Sequence, residues 1–264
     1  MANLVEARIF DVIYPLAGGT MVASSADSEF PVANLAHPFR SKVWRTTGKT
    51  DENVVIDLGA ATNIDSVALI FDPLGGIKFT TSATITIQAN ATDSWGTPSV
   101  SQALTVDTVN KTATHFFATN QSYRYWRLRL QDATNTRTYL EVSKLLLSKA
   151  TQLTQTPDIG FKYTLDDQSK VQKTAYGHQY ADLYPIKKGF EYNYEALTQA
   201  DFVTLLEIYR LKGNTQVIAF ALDPTEQFLD KERYFIYGYF SGNFSGTNKF
   251  LGYFSNPLKI EEAL

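Results

Sequence analysis

The segment YRYWRLRLQD (residues 123–132) alternates apolar and charged side chains with a period of two. Trp126, Leu128 and Leu130 fall on one face of an extended chain, and two arginines fall on the other. The pattern predicts a strand of a packed sheet with its arginines on the wet face. The alternative, a basic and aromatic surface for nucleic acid, needs a basic domain, whereas the 264-residue chain has a formal net charge of −3.

Similar segments follow one another between residues 30 and 150. The runs NVVIDLG (53–59) and IDSVALIF (64–71) are separated by AATN, which predicts two strands joined by a turn. SATITIQANA (82–91) and YLEVSKLLLSK (139–149) predict further strands. Several short strands with turns between them indicate a sandwich or jelly roll rather than a doubly wound α/β fold.

One helix is predicted in the C-terminal half, over residues 198–212. Thr198 suits the N-cap position, and a glycine directly after Lys212 suits the helix end. Apolar residues recur at helical spacing inside this segment, which predicts one buried stripe on a neighbouring sheet. The stripe consists of Phe202, Leu205, Leu206 and Tyr209.

These elements predict a mainly β protein in three parts. Residues 1–29 form an N-terminal strand or arm, and residues 30–150 form a jelly-roll β-sandwich. Residues 151–264 form a second β-rich domain with one packed helix.

The sequence lacks the patterns typical of catalytic and metal-binding centres. His37, His115 and His178 have no second histidine or carboxylate at metal-ligand spacing, and the chain has no cysteine. The GxSxG, P-loop and GxGxxG motifs are missing. We therefore expect no catalytic residue, no metal, no cofactor and no enzymatic activity.

The start of the chain, MANLVEARIFDVIYP, contains Glu6, Arg8 and Asp11, which interrupt any apolar run. We expect no signal peptide for this reason. No stretch approaches 18 apolar residues, so we also expect no membrane insertion.

Residues 30–150 resemble the discoidin-type (coagulation factor 5/8 C-type), galactose-binding-like jelly rolls in the order of their motifs. An Ala-Asn-Leu segment precedes SKVWRT with Trp44, and VVIDLG, YRYWRLRL and LEVSKLLL follow in that order. In that family, loops at one mouth of the jelly roll bind ligands. The resemblance makes Trp95 and Arg137, both in predicted loops, the candidates for contacting a sugar. Packing or solvation is the simpler explanation for either residue.

The C-terminal half resembles a segment of distal-tail and baseplate hub proteins of tailed bacteriophages. The matching features are an aromatic strand (190–194), a helix entry from Leu197 to Asp201, Gly213, and an Asp-Pro pair at 223–224. This resemblance implies a structural subunit of the tail tip or baseplate, an adaptor or ring that links the tail tube to receptor-binding components. The expected partners are other tail or baseplate proteins and copies of the chain itself. The expected location is the virion tail, after synthesis in the host cytoplasm.

An aromatic segment, residues 234–256, supports two interpretations equally. Its mixture of Tyr, Phe, Gly, Ser and Asn suits a protein–protein interface, and it suits a hairpin in the core as well. The interface candidates are Tyr237, Tyr239, Phe240, Phe244, Phe250 and Tyr253.

The alternative function is a carbohydrate-binding module that recognises a cell-surface glycan. The predicted jelly roll permits it, and exposed Trp or Tyr side chains would contact the sugar. The two functions are compatible if the jelly roll is displayed on a tail. Neither function involves nucleic acid.

Overall fold

A computed structural model describes residues 7–71, 79–107, 109–155, 157, 160–174, 176–225 and 229–263. The chain divides into two compact units. We call Phe10–Thr151 together with the described residues of Pro224–Arg233 the sandwich unit. The described residues of Met1–Ile9, Gln152–Asp223 and Tyr234–Leu264 form the helix unit.

The structure is built mainly of strands, which confirms the predicted fold class. As far as Gln152, the elements are β1 (Arg8–Phe10), β2 (Thr20–Ala23), a 3-10 helix (Val32–Ala36), β3 (Trp44–Arg45), β4 (Glu52–Ile70), β5 (Thr84–Asn90), β6 (Val100–Leu104), β7 (Thr112–Gln131), β8 (Glu141–Val142), β9 (Lys144–Ser148) and β10 (Thr151–Gln152). The later elements are β11 (Lys162–Asp167), β12 (Lys170–Lys173), β13 (Gln179–Asp182), β14 (Ile186–Thr198), α1 (Gln199–Lys212), β15 (Ile218–Ala221), β16 (Phe235–Phe240), β17 (Thr247–Phe250) and β18 (Tyr253–Glu262).

The sandwich unit is a β-sandwich around one apolar core. Its main sheet has the order β2-β4-β7-β5-β6, β9 also pairs with β4, and β3 pairs with β8. The period-two prediction for β7 is confirmed, because Trp126, Leu128 and Leu130 are fully buried in the core. Arg127 and Arg129 lie on the opposite face, as the alternation requires.

The predicted turn AATN between two strands is wrong, because β4 runs without interruption from Glu52 to Ile70. A bulge replaces the turn: the pairing with β7 shifts between Asp57 and Thr62. Gly59 adopts a φ of 78° there, a conformation that glycine tolerates, and its N–H donates to Asp57 Oδ1 at 2.8 Å. Arg124 closes the bulge with a two-pronged ion pair to Asp57, and this pair lowers the pKa of the Asp57 carboxyl to about 2.

The helix unit packs α1 against a sheet of order β10-β1-β15-β16-β18-β14-β11, with β17 paired to β18. The predicted N-cap is confirmed, since Thr198 Oγ1 accepts from the Asp201 N–H at 3.2 Å. Leu205 of the predicted stripe is buried, and Phe202 stacks on Phe254 with ring centroids 4.5 Å apart. Ile208, which the predicted stripe omitted, is buried as well.

A two-stranded hairpin, β12–β13, stands apart from the main sheet of the helix unit. Every residue of both strands is exposed. Tyr176 in the turn is 92% exposed, and Leu183 after β13 is 86% exposed. The hairpin therefore presents large apolar side chains to solvent.

Within the residues that the structure describes, no helix has the length and apolar character needed to cross a membrane.

Candidate functional site

Three loops of the sandwich unit meet at one end of its main sheet. The pairing of Glu52 with Leu130 and of Thr84 with Gln131 aligns the start of β4, the start of β5 and the end of β7. The loops before β4, before β5 and after β7 therefore emerge side by side. Loops of this kind, held by a rigid sheet, are where binding sites commonly lie.

Hydrogen bonds tie these loops together around a buried carboxylate. Asp132, 2% exposed, accepts from the Thr80 N–H at 2.7 Å and from the Asn135 amide at 2.8 Å. Lys49 Nζ donates to the Asn135 carbonyl oxygen at 2.5 Å. The loops before β4 and β5 are thus each bonded to the loop after β7.

An arginine lies between two aromatic rings at this end. The Arg45 guanidinium carbon is 3.7 Å from the centroid of the Phe30 ring and 4.5 Å from that of the Tyr139 ring. Its Nε donates to Glu141 Oε2 at 2.8 Å, and the Glu141 side chain is only 2% exposed. Because this ion pair neutralises and fixes Arg45, the guanidinium holds both half-buried rings in place.

Arg137 also lies near the Tyr139 ring. Its guanidinium carbon is 5.9 Å from the Tyr139 ring centroid, and its backbone N–H donates to Asn135 Oδ1 at 3.0 Å. In the described part of the chain no carboxylate forms an ion pair with Arg137. We call Phe30, Arg45, Lys49, Arg137 and Tyr139 the arginine–aromatic mouth.

A cavity of about 380 Å³ opens at the same end of the sheet. Thr80, which bonds to Asp132, is part of its wall. The volume lies within the range of about 300–1,000 Å³ that is usual for small-molecule sites. The lining residues are Phe79, Thr80, Thr81, Ala83, Leu104, Thr105 and Val106.

Trp95, the other predicted ligand residue, lies away from this mouth. It follows β5, whose last residue Asn90 pairs with Tyr125 at the opposite end of the sheet. The half-buried indole lies 4.6 Å from the Arg127 guanidinium carbon, and its Nε1 donates to Asp93 Oδ1 at 2.6 Å. The structure therefore does not bring Trp95 and Arg137 into one site.

The six aromatic interface candidates divide by exposure. Tyr237 and Phe240 are 2% and 3% exposed and lie in the core of the helix unit. Tyr239 and Phe244 are half-buried, and Phe244 borders a cavity of about 140 Å³. Only Phe250 and Tyr253, beside the turn between β17 and β18, are 69% and 44% exposed. An interface role remains a prediction, and these two side chains are the ones placed to contact another molecule.

The sequence analysis did not find Phe30, Arg45, Lys49 or Tyr139. Phe30 and Tyr139 occur shortly before recognisable motifs, the Ala-Asn-Leu segment and the closing strand, but nothing local shows that they enclose the same arginine. In the residues described, no group of three or more histidines and carboxylates is arranged to hold a metal.

Together, the β-sandwich and the loops at one end of its sheet define a jelly-roll module of the discoidin type. Residues 20–145 match the family model of the F5/8 type C domain. No curated protein matches the sequence.

Three solved structures illustrate the likeness. The family 32 carbohydrate-binding module of C. perfringens NanJ, in complex with galactose, is 14% identical, with a TM-score of 0.42 over 53% of this chain and 98% of that one. The lectin domain of lectinolysin, complexed with Lewis B antigen, is 17% identical, with a TM-score of 0.41 over 51% of this chain and 94% of that one. A chitosan-binding module of a Paenibacillus chitosanase/glucanase is 18% identical, with a TM-score of 0.39 over 53% of this chain and 98% of that one.

Proposed function

We propose that the F5/8 type C domain binds a cell-surface glycan through the arginine–aromatic mouth. The observation that supports this most directly is the Arg137 guanidinium, which has no ion-pair partner in the described residues and lies beside the half-buried Tyr139 ring. A sugar has an apolar C–H face that packs on an aromatic ring, and hydroxyl oxygens that accept from a guanidinium. The mouth offers both kinds of contact on adjacent loops.

We further propose that the mouth binds without catalysing a reaction. Glycoside hydrolysis requires two carboxyl groups that face the scissile bond from about 5 to 9.5 Å apart. Glu141 is bonded to Arg45, and Asp132 is buried and accepts bonds from Thr80 and Asn135. Glu141 and Asp132, the two buried carboxylates next to the mouth, therefore stabilise the loops and do not face the open side.

Replacing Tyr139 with alanine is expected to weaken glycan binding about tenfold, equivalent to ~1.4 kcal/mol. The change removes the ring that the Arg45 and Arg137 guanidinium groups both approach. The measurement is isothermal titration calorimetry with a glycan selected by the wild-type protein on a glycan array. Thermal unfolding of the variant, followed by tryptophan fluorescence, tests that the domain remains folded.

The matched control is Trp95→Ala, which removes an aromatic side chain at the other end of the sheet. This variant is expected to bind as the wild type does. If Trp95→Ala loses binding and Tyr139→Ala keeps it, the site lies on the Trp95 side and the proposed mouth is wrong.

As a second function, we propose that the helix unit makes the protein a structural subunit of a bacteriophage tail tip or baseplate, located in the virion. The β12–β13 hairpin favours an assembly role, because isolated two-stranded hairpins are marginally stable in water and exposed apolar patches mark contact sites. The partners would be other tail proteins or copies of the chain, and the glycan-binding domain would then act as a displayed adhesin.

Light scattering after size-exclusion chromatography, with negative-stain imaging, is expected to show discrete oligomers or rings. The double variant Tyr176→Asp with Leu183→Asp is expected to dissociate them, because it places charges on the exposed hairpin. Val22→Asp is the control, since Val22 is 70% exposed on β2 of the sandwich unit. A monomer at every concentration would contradict self-assembly by this chain alone.

A further inference from the structure

We propose that the arginine–aromatic mouth selects sugars that carry one carboxylate per residue, such as uronic acids. This inference rests on the proposed glycan-binding function and names the chemical class of its ligand. It follows from the distribution of charge around the mouth, which differs between its two sides.

Two cations on one side of the mouth are fixed by the same residue. Asn135, 5% exposed, accepts from Lys49 Nζ through its carbonyl oxygen at 2.5 Å and from the Arg137 N–H through its side-chain oxygen at 3.0 Å. In the part of the chain that the structure describes, neither Lys49 nor Arg137 forms an ion pair. This side therefore has two cations whose charge the protein does not neutralise.

Two carboxylates close in sequence to these cations are engaged elsewhere. Asp132 is buried and accepts from Thr80 and Asn135. Asp51 forms a two-pronged ion pair with Arg129, at 2.6 and 2.7 Å. A carboxylate that neutralises Arg137 must accordingly come from the ligand, and a guanidinium binds a carboxylate through two parallel hydrogen bonds.

Glu52, on the strand that follows Lys49 and Asp51, is also engaged. Its Oε2 accepts from the hydroxyls of Ser24 and Ser25 at 2.5 and 2.6 Å. This carboxylate is buried, so it does not face a ligand at the mouth.

The other side of the mouth is acidic. Asp27 and Glu29 precede Phe30 on the same loop, and the Asp27 carboxylate turns onto this loop by accepting the Glu29 N–H at 2.9 Å. Carboxylates accept hydrogen bonds from sugar hydroxyls and repel anionic groups. A ligand with one carboxylate at the Arg137 side and hydroxyls at the Asp27 side fits this polarity, whereas a densely sulfated polyanion does not.

Calorimetry at physiological salt with oligogalacturonate and with its methyl ester tests the proposal, because methylation removes the charge of the carboxyl groups and leaves the rest of the sugar chain unchanged. The wild-type protein is expected to bind the acid about tenfold more tightly than the ester, the scale of one charge-assisted bidentate contact. Arg137→Gln is expected to lose this preference. Lys149→Gln, which removes the charge of an exposed lysine outside the mouth, is expected to keep it.

Equal affinity for acid and ester, with both still sensitive to Tyr139→Ala, would overturn the charge preference and leave the proposed glycan binding intact. Tighter binding of a sulfated polysaccharide than of the uronate would also overturn it. If neither ligand binds and the glycan array shows no other, the proposed function fails together with this inference.

Discussion

The sandwich unit is expected to become more stable, relative to a Lys144→Met variant, as the pH rises from about 7 to about 9.5. Lys144 is 1% exposed, and its Nζ donates to the carbonyl oxygens of Asn34 at 2.7 Å and Lys42 at 2.9 Å. Burial, together with the charge of Arg40, lowers the pKa of Lys144 from 10.5 to about 7. The folded protein therefore contains a neutral amine in a pH range where an exposed lysine is charged.

The direction of the effect follows from the protons bound in each state. Between the folded pKa of about 7 and the ordinary value of 10.5, the unfolded chain binds a proton at Lys144 that the folded chain does not bind. The free energy of unfolding therefore rises with pH by at most ~1.4 kcal/mol per pH unit, or about 3 kcal/mol over this range. Below the folded pKa both states are protonated, and this contribution becomes constant.

Urea unfolding followed by tryptophan fluorescence measures this difference, because Trp44, Trp95 and Trp126 all lie in the sandwich unit. Methionine retains the length of the side chain and leaves two carbonyl oxygens without their donor, a cost that does not depend on pH. Only the slope of the free energy of unfolding against pH therefore tests the prediction. Lys149→Met, at an exposed position just after β9, is expected to follow the wild-type slope, and parallel profiles for wild type and Lys144→Met would contradict the prediction.

Periodicity predicted the buried face of β7 because the direction of a side chain on a strand depends only on its position along that strand. Periodicity does not predict an environment that is formed by segments distant in the sequence. Lys144 lies in the apolar run of β9, and the two carbonyl groups that bind its amine come from the distant 3-10 helix and from the loop after it. No local pattern distinguishes such a buried lysine from a solvated one.

The sequence predicted only part of the candidate site, because its residues come from segments that are distant in the sequence. Arg137 was identified as a loop residue next to the closing strand, and the structure places it at the mouth. Phe30, Arg45 and Tyr139 come from three segments that meet only in the folded sandwich. Trp95 was selected because the jelly rolls that the sequence resembles bind ligands through loops, yet its loop lies by Arg127 on the outer face of the sheet.

Replacing Gly238 with alanine is expected to destabilise the helix unit by about 3 kcal/mol or more. Gly238 lies within β16, opposite Ile218 on β15 and Glu262 on β18. A Cβ atom at this position would lie 1.9 Å from the Glu261 carbonyl oxygen and 2.7 Å from its carbonyl carbon. Because both atoms belong to the backbone of a paired strand, relief requires β16 and β18 to separate.

Gly189→Ala on β14, which pairs with the other edge of β18, is the matched comparison. Its Cβ would lie 2.5 Å from Thr164 Oγ1, the end of a side chain that relieves the contact by rotating. The free energy of unfolding of this variant is expected to fall by about 1 kcal/mol or less, because only a side-chain contact is rearranged. Urea unfolding followed by far-UV circular dichroism measures both variants, since the helix unit contains no tryptophan. Equal losses of unfolding free energy in the two variants would show that the β18 backbone moves away from a new Cβ atom as easily as a threonine side chain rotates. The close approach of β16 and β18 would then not limit the stability of this sheet.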